Sequence, residues 1–320
     1  MPAFLSAETV VNSKNDQTMN DLQFCDHNIL HSTCDVEREG AVQPSSIYST
    51  SAVEGSNDIK RRKSVVVTFV WRDMTSKEHV NFRQGIKILG GHPFVVIHPH
   101  SYPVNYLKQK YPNITTLALD DKHFTGIEAY NQMMLSPWFY ELFSDYEYML
   151  IYQIDAYVFS DQLDYWTSME YDYIGAPWML NDNLYQNTLG HWLTRLLQHF
   201  PIRHNHVHSA HLFHHVGNGG FSLRRISKMR DIMKKNKNLI ESAKRKHESQ
   251  EDVMISIILG KKEQLRIPSW QLALYFSFEK APARCLELTN GVFPFGCHDT
   301  NNRYWNSFWK YYIPQEEKLH

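Results

Sequence analysis

Residues Tyr148–Asp161 read YMLIYQIDAYVFSD, an apolar run that breaks on one aspartate, Asp155, and then resumes. Tyr148, Met149, Leu150, Ile151, Tyr152 and Ile154 precede the break, and Tyr157, Val158 and Phe159 follow it. A short continuous apolar run predicts a strand buried on both faces, as in the middle of a largely parallel sheet. An isolated carboxylate inside such a strand is expensive to bury unless it is paired or holds a metal. Asp155 is therefore expected where the strand leaves the sheet, at its carboxyl edge. That edge is where open α/β sheets hold their ligands.

Upstream of this strand, order begins at Ser64. SVVVTFVW predicts a buried strand, and TSKEHVNFRQGIKILGG an amphipathic helix ended by Gly90 and Gly91. HPFVVIHP is a second strand, SYPVNYLKQKYP a short helix, ITTLALD a third strand, and GIEAYNQMMLSPWFYELF a helix interrupted near Pro137. YEYMLIYQID is the fourth strand. This alternation predicts an α/β fold with a mostly parallel central sheet, right-handed crossovers and flanking helices. Downstream the pattern loosens. EYDYIGAPWM predicts a strand and turn, residues 181–216 a long His-rich connection, GNGGFSLRR a lead into the helix RISKMRDIMKKN, and ESQEDVMISIILGKK another helix.

Residues 1–62 are polar and aperiodic, the signature of a disordered tail. KRRK at Lys60–Lys63 reads as a solvated charge run ahead of the first strand rather than a nuclear import signal. The expected organisation is this tail, a single domain over 63–300 and a C-terminal extension over 301–320. Within the domain, 63–160 would form a nucleotide-binding half and 161–300 an acceptor half.

Composition narrows the function classes. A formal charge of −1 supplies no field for nucleic acid or for an anionic membrane. Eight Trp, 18 Tyr and 17 Phe leave aromatic rings for stacking on sugars or bases. Four cysteines without a CxxC pair imply reduced thiols and a cytoplasmic protein. No apolar run reaches the roughly 18 residues of a membrane span, so membrane association is expected to be peripheral at most.

In their order, IYQIDAYVF, DYIGAPW, GNGGFSLRR, ED and FPFGCH resemble a glycosyltransferase family of bacterial polysaccharide gene clusters, long labelled a domain of unknown function. More broadly they resemble GT-A-like nucleotide-diphospho-sugar transferases over about residues 64–300. The resemblance implies a nucleotide-sugar donor, a glycan or glycolipid acceptor, and Mn²⁺ or Mg²⁺ as cofactor. GT-A enzymes carry Asp-x-Asp after the fourth strand, and its second Asp binds a cation bridging the donor diphosphate. The matching triplet here is Gln153-Ile154-Asp155, so Asp155 aligns with the metal ligand and Gln153 replaces the first carboxylate. His298 in FPFGCHD is the second metal ligand by the same resemblance. Asp155 would equally suit a turn cap at a strand end, and His298 is one of 18 histidines.

Asn218, Gly219 and Gly220 form the expected donor platform, the glycines permitting close approach; a plain turn before a helix would use the same pair. Glu251–Asp252 opens a helix, and an inverting transferase needs a carboxylate to take the acceptor's proton. Asp252 is the first choice and Glu251 the second, although acidic residues also favour a helix's first turn for its dipole. Thr68 and Arg72 at the end of the first strand, and Asp121 and Lys122 after the third, are donor-binding candidates. His204, His206 and His208 alternate as metal ligands on a strand would, but a mobile polar loop is the expected reading. The rivals are a sugar nucleotidyltransferase, disfavoured because VWRDMTSKEH lacks a Gly-rich phosphate loop, and a non-catalytic sugar- or nucleotide-binding module.

Overall fold

The structure is a computed structural model that describes residues 63–179, 212–245, 250–301 and 303–314. The expected tail, and His204, His206 and His208, lie outside the described residues. A six-stranded sheet runs in the order β3-β2-β1-β4-β7-β6. Its strands are β1 (Ser64–Phe69), β2 (Phe94–Pro99), β3 (Ile114–Leu119), β4 (Tyr148–Tyr152), β6 (Tyr173–Ile174) and β7 (Phe221–Arg225). β1 pairs in parallel with β2 and β4, and β2 with β3, whereas β7 is antiparallel to both β4 and β6. The first half is thus a parallel sheet, as the strand–helix alternation implies.

The period-two rule sorts β1 between two cores. Val65, Val67 and Phe69 join one with Met133, Phe139, Met149, Ile151, Ile226 and Met229. Val66 and Val70 join the other with Phe82, Leu89, Leu150, Tyr152 and Trp166. The first core lies under α3 (Ile127–Met134), α4 (Pro137–Glu141) and α6 (Ile226–Lys235), the second under α1 (Ser76–Leu89) and α5 (Leu163–Ser168). The short α2 (Asn105–Lys110) connects β2 to β3, and α7 (Lys237–Arg245) follows α6. α1 starts on a capping box in which the Thr75 side chain accepts from Glu78 N and Glu78 reaches back to Thr75 N.

Two features depart from the sequence expectation. GNGGFSLRR is not only a lead into a helix: Phe221–Arg225 is β7, inserted between β4 and β6. The half expected to bind the acceptor therefore shares one sheet with the half expected to bind the nucleotide. The region read as a C-terminal extension is also packed. Trp305, Phe308, Trp309 and Ile313 are buried with Tyr157, Phe278 and Cys297. They cover a second sheet of order β5-β9-β8, made by β5 (Tyr157–Val158), β8 (Ser277–Phe278) and β9 (Gly296–Cys297).

Candidate active site

The small sheet gathers the chemistry. β9 is its middle strand, antiparallel to β5 with Tyr157 opposite Cys297 and parallel to β8 with Phe278 opposite Cys297. His298, the residue leaving β9, therefore emerges beside the start of β5 and the end of β8. Asp155 stands just before β5, and Glu279 just after β8. His298 Nε2 lies 3.1 Å from Asp155 Oδ1 and 3.0 Å from Gln153 Oε1.

The large sheet presses against this group. Gln153 N donates to Gly220 O at 2.9 Å, and a Cβ on Gly220 would lie 2.1 Å from His298 Nε2. At Gly219 a Cβ would meet Glu251 Oε1 at 1.9 Å. The glycines were expected to admit a ligand. They admit two side chains of the chain itself, and neither is among the positive-φ glycines, Gly126 and Gly291. Asn218 closes this turn, its Oδ1 accepting from Gly220 N at 3.0 Å. The Asp155 backbone is anchored as well: Thr300 N and Oγ1 donate to its carbonyl at 3.1 and 2.8 Å. Asn81 Nδ2 donates in turn to Thr300 Oγ1 and Ile154 O.

Burial of Asp155 opposes its ionisation, but the neighbouring His298 charge and hydrogen bond, with Arg72 further off, hold its carboxyl below the usual range. Burial likewise opposes the His298 cation. The Asp155 charge and hydrogen bond, joined by Glu279 and Asp299, overcome it and raise the imidazole to about 9.

A second buried pair sits behind Gly219. Arg224, on β7, is 0% exposed, and its Nη2 lies 3.0 Å from Oε1 of Glu251, 5% exposed. Arg224 also donates to Tyr140 OH at 3.1 Å and Ser222 Oγ at 3.1 Å. This fixes the start of α8 (Glu251–Val253), which passes directly into a π-helical turn, Met254–Leu259. Such turns occur often at functional sites. Asp252 follows Glu251 and forms no ion pair among the described residues; its Oδ1 accepts from Val253 N. Burial, with the charge of Glu251 adding, pushes its carboxyl up to about 6.

The remaining candidates are placed as follows. Thr68 is fully buried within β1, its Oγ1 without a hydrogen bond. Arg72 grips Glu78 with two bonds of 2.9 and 2.8 Å while its charge acts on Asp155. Asp121 and Lys122 lie apart on an exposed 3₁₀ turn, Asp121 accepting from Ser101 N and Lys122 pairing with Asp120. The sequence reading missed Glu279. It is 8% exposed, its Oε2 has no hydrogen-bond partner, and burial pushes it up to about 7 against the charges of His298 and Lys280. The available signal was an acidic residue ending the apolar YFSF, the same pattern that singled out Asp155.

Whether this group suits a divalent cation follows from its donors. Among the described residues no cluster of three or more His, Cys, Asp and Glu side chains is arranged for a metal. Asp155, His298 and the amide oxygen of Gln153 converge, however, on a single ring nitrogen position. A carboxylate, an imidazole and an amide oxygen suit Mn²⁺ or Mg²⁺ that completes its shell with phosphate oxygens and water. The donor set fits a cation shared with a ligand, and not a closed structural site.

Comparison with known families matches residues 113–298 to the family described as Protein of unknown function (DUF5672), and the chain belongs to that family. Comparison with curated proteins finds no match. Among solved structures, the chain is similar to core-mannan synthase A (CmsA/Ktr4) from Aspergillus fumigatus in its Mn/GDP form. That likeness has a TM-score of 0.45 and 11% identity, covering 68% of this chain and 75% of that one. It is similar also to the galactosyltransferase LgtC in complex with donor and acceptor sugar analogs, with a TM-score of 0.44 and 13% identity over 73% of this chain and 86% of that one. Likenesses of this degree do not assign an activity, and the functional reading rests on the site. No helix among the described residues is long and apolar enough to cross a membrane.

Proposed function

We propose that this family member transfers a sugar from a nucleotide-diphosphate donor to a glycan or glycolipid acceptor, in the setting of polysaccharide biosynthesis. The observation that carries the reading is the meeting of Asp155, Gln153 and His298 Nε2 within about a hydrogen bond's length, at the carboxyl edge of β4. Asp155 and His298 would hold Mn²⁺ or Mg²⁺, which as a Lewis acid offsets the charge growing on the departing diphosphate. Gln153 contributes a neutral oxygen and two amide hydrogens suited to hydroxyl or phosphate oxygens. Arg72, partly exposed and within electrostatic reach of Asp155, adds positive charge for the donor.

Transfer in a single inverting displacement needs a base next to the acceptor. Asp252 takes that role. The acceptor oxygen forms a bond to the anomeric carbon as the bond from that carbon to the diphosphate oxygen breaks. The electron pair leaves with the nucleoside diphosphate, and the hydroxyl proton passes to the Asp252 carboxylate. A carboxyl near 6 is mostly ionised at neutral pH yet basic enough to accept a proton in the transition state. Glu251, already bonded to Arg224, positions Asp252 and does not compete with it.

Incubation of the protein with Mn²⁺ and a panel of UDP- and GDP-sugars, followed by measurement of released nucleoside diphosphate, tests the proposal. Release that requires the metal and falls at least 100-fold in Asp252→Asn, with donor affinity kept, is the expected result. The neutral Gln153, together with an Asp155–His298 pair that satisfies itself, favours one second reading, a non-catalytic sugar- or nucleotide-binding module. Tight donor binding without release across the panel would select it.

A further inference from the structure

Among the described residues, the ends of β8 and β9 leave two buried polar atoms of opposite character without hydrogen bonds. His298 spends Nε2 on Asp155 and Gln153, which leaves Nδ1 buried and without a hydrogen bond. Glu279 Oε2 is buried and without a hydrogen bond as well. β8 and β9 are parallel with Phe278 level with Cys297, so Glu279 and His298 are the next residues of each strand at one register level. The backbone keeps them there, His298 N donating to Phe278 O at 3.0 Å. An orphaned buried donor or acceptor carries a desolvation penalty of about 1–3 kcal/mol, more for a charged group. The two groups do not bond each other in this structure, but at one level of neighbouring strands about 4.8 Å apart a change of side-chain rotamer can bring the carboxylate to Nδ1.

We propose that Glu279 is a positioning residue for His298, its carboxylate accepting the Nδ1 proton and so fixing the tautomer that presents Nε2 to a cation. An imidazole can bind a metal only through a nitrogen free of its proton, and the other nitrogen is then the N–H donor. Carboxylates beyond the ligand shell commonly fill this place, and removing them lowers metal affinity about 10- to 100-fold. Here the device answers a deficit visible in the sequence. Gln153 contributes no charge beside Asp155, whereas Glu279, once ionised, places a carboxylate behind the imidazole without being a ligand. The three elements of the small sheet then divide the work: β5 follows Asp155, β9 delivers His298, and β8 delivers the carboxylate behind it. The inference rests on the proposed metal site but makes a claim of its own about the imidazole.

The test has one readout with metal and one without. Calorimetry of Mn²⁺ binding in the presence of UDP or GDP compares wild type with Glu279→Gln and Glu279→Asp. Nitrogen-15 spectra of the histidine rings, with His298 assigned from its loss in His298→Gln, report the Nδ1 proton and its hydrogen bond without metal. We expect Mn²⁺ affinity to fall at least 10-fold in Glu279→Gln and to recover in part in Glu279→Asp. Wild type should show a hydrogen-bonded Nδ1 proton on His298 that Glu279→Gln loses, at an unchanged melting temperature. Unchanged ring signals in Glu279→Gln overturn the inference, as does an unbonded Nδ1 in wild type should neither variant fold. Wild type that binds no Mn²⁺ with either nucleotide overturns the metal reading instead, and the ring spectra still decide the role of Glu279.

Discussion

Arg224 and Glu251 form an ion pair of 3.0 Å whose two side chains are both buried, joining the strand inserted into the sheet to the start of the helix that carries Asp252. Removing one partner of a buried pair strands the other charge and typically costs about 3–5 kcal/mol. Arg224→Met is expected to lower stability by that order in denaturant titration. Arg224→Met/Glu251→Met, which strands no charge, should recover much of it. A single variant as stable as wild type would mean the pair does not hold this junction.

Gly220 faces His298 with no room for a methyl group, since a Cβ would come to 2.1 Å from Nε2. Gly220→Ala must therefore displace the imidazole or the backbone of Gln153, which donates to Gly220 O. The expected outcome is a folded protein whose Mn²⁺ affinity with nucleoside diphosphate drops at least 10-fold. Unaltered affinity would show that His298 takes no part in the metal site.

The titration of Asp252 sets the pH dependence. Its carboxyl is pushed up to about 6 by burial and by the charge of Glu251, with a backbone hydrogen bond from Val253 and the charge of Arg224 opposing. A base works when ionised, so the transfer rate should rise with pH through an apparent value near 6 and then level. Stability runs the other way. A carboxyl with a raised folded-state value holds its proton more tightly folded than unfolded, so its stabilising contribution is full below about pH 4 and lost by about pH 6. A rate independent of pH between 5 and 8 would remove Asp252 from the role of base.

Trp309 is fully buried in the cluster over the small sheet. Trp309→Ala should destabilise the protein by about 3–5 kcal/mol, the usual cost of emptying a large aromatic site. A protein without residues 303–320 should fail the same unfolding test, and full stability in either would show that the segment adds nothing to the fold.

What was legible in the sequence was whatever buried a continuous apolar run. β1, β2 and β4 announced themselves through SVVVTF, FVVIHP and YMLIY, because strands covered on both faces carry few polar residues. The same run led to Asp155 and its place at the sheet edge. β7 was hidden because a strand reading FSLRR contains a fully buried arginine, and partners such as Glu251 and Tyr140 make that burial tolerable. Those partners are distant in sequence. Glu279 escaped for a related reason: β8 is two residues long and carries no period, and its meaning comes from pairing with β9. The C-terminal aromatics were visible as residues, but their burial depends on a second sheet built from three two-residue strands.

The central claim is that Asp155 delivers a carboxylate to a cation shared with a nucleotide diphosphate. Asp155→Asn keeps the shape of the side chain and suits a strand-end turn almost as well as aspartate does, so a capping role would survive it. Calorimetric titration of this variant with Mn²⁺ and UDP or GDP, beside its melting temperature without ligand, separates the two roles. The account predicts a melting temperature close to that of wild type and loss of metal-dependent nucleotide binding. Nucleotide and Mn²⁺ affinity equal to that of wild type would contradict it.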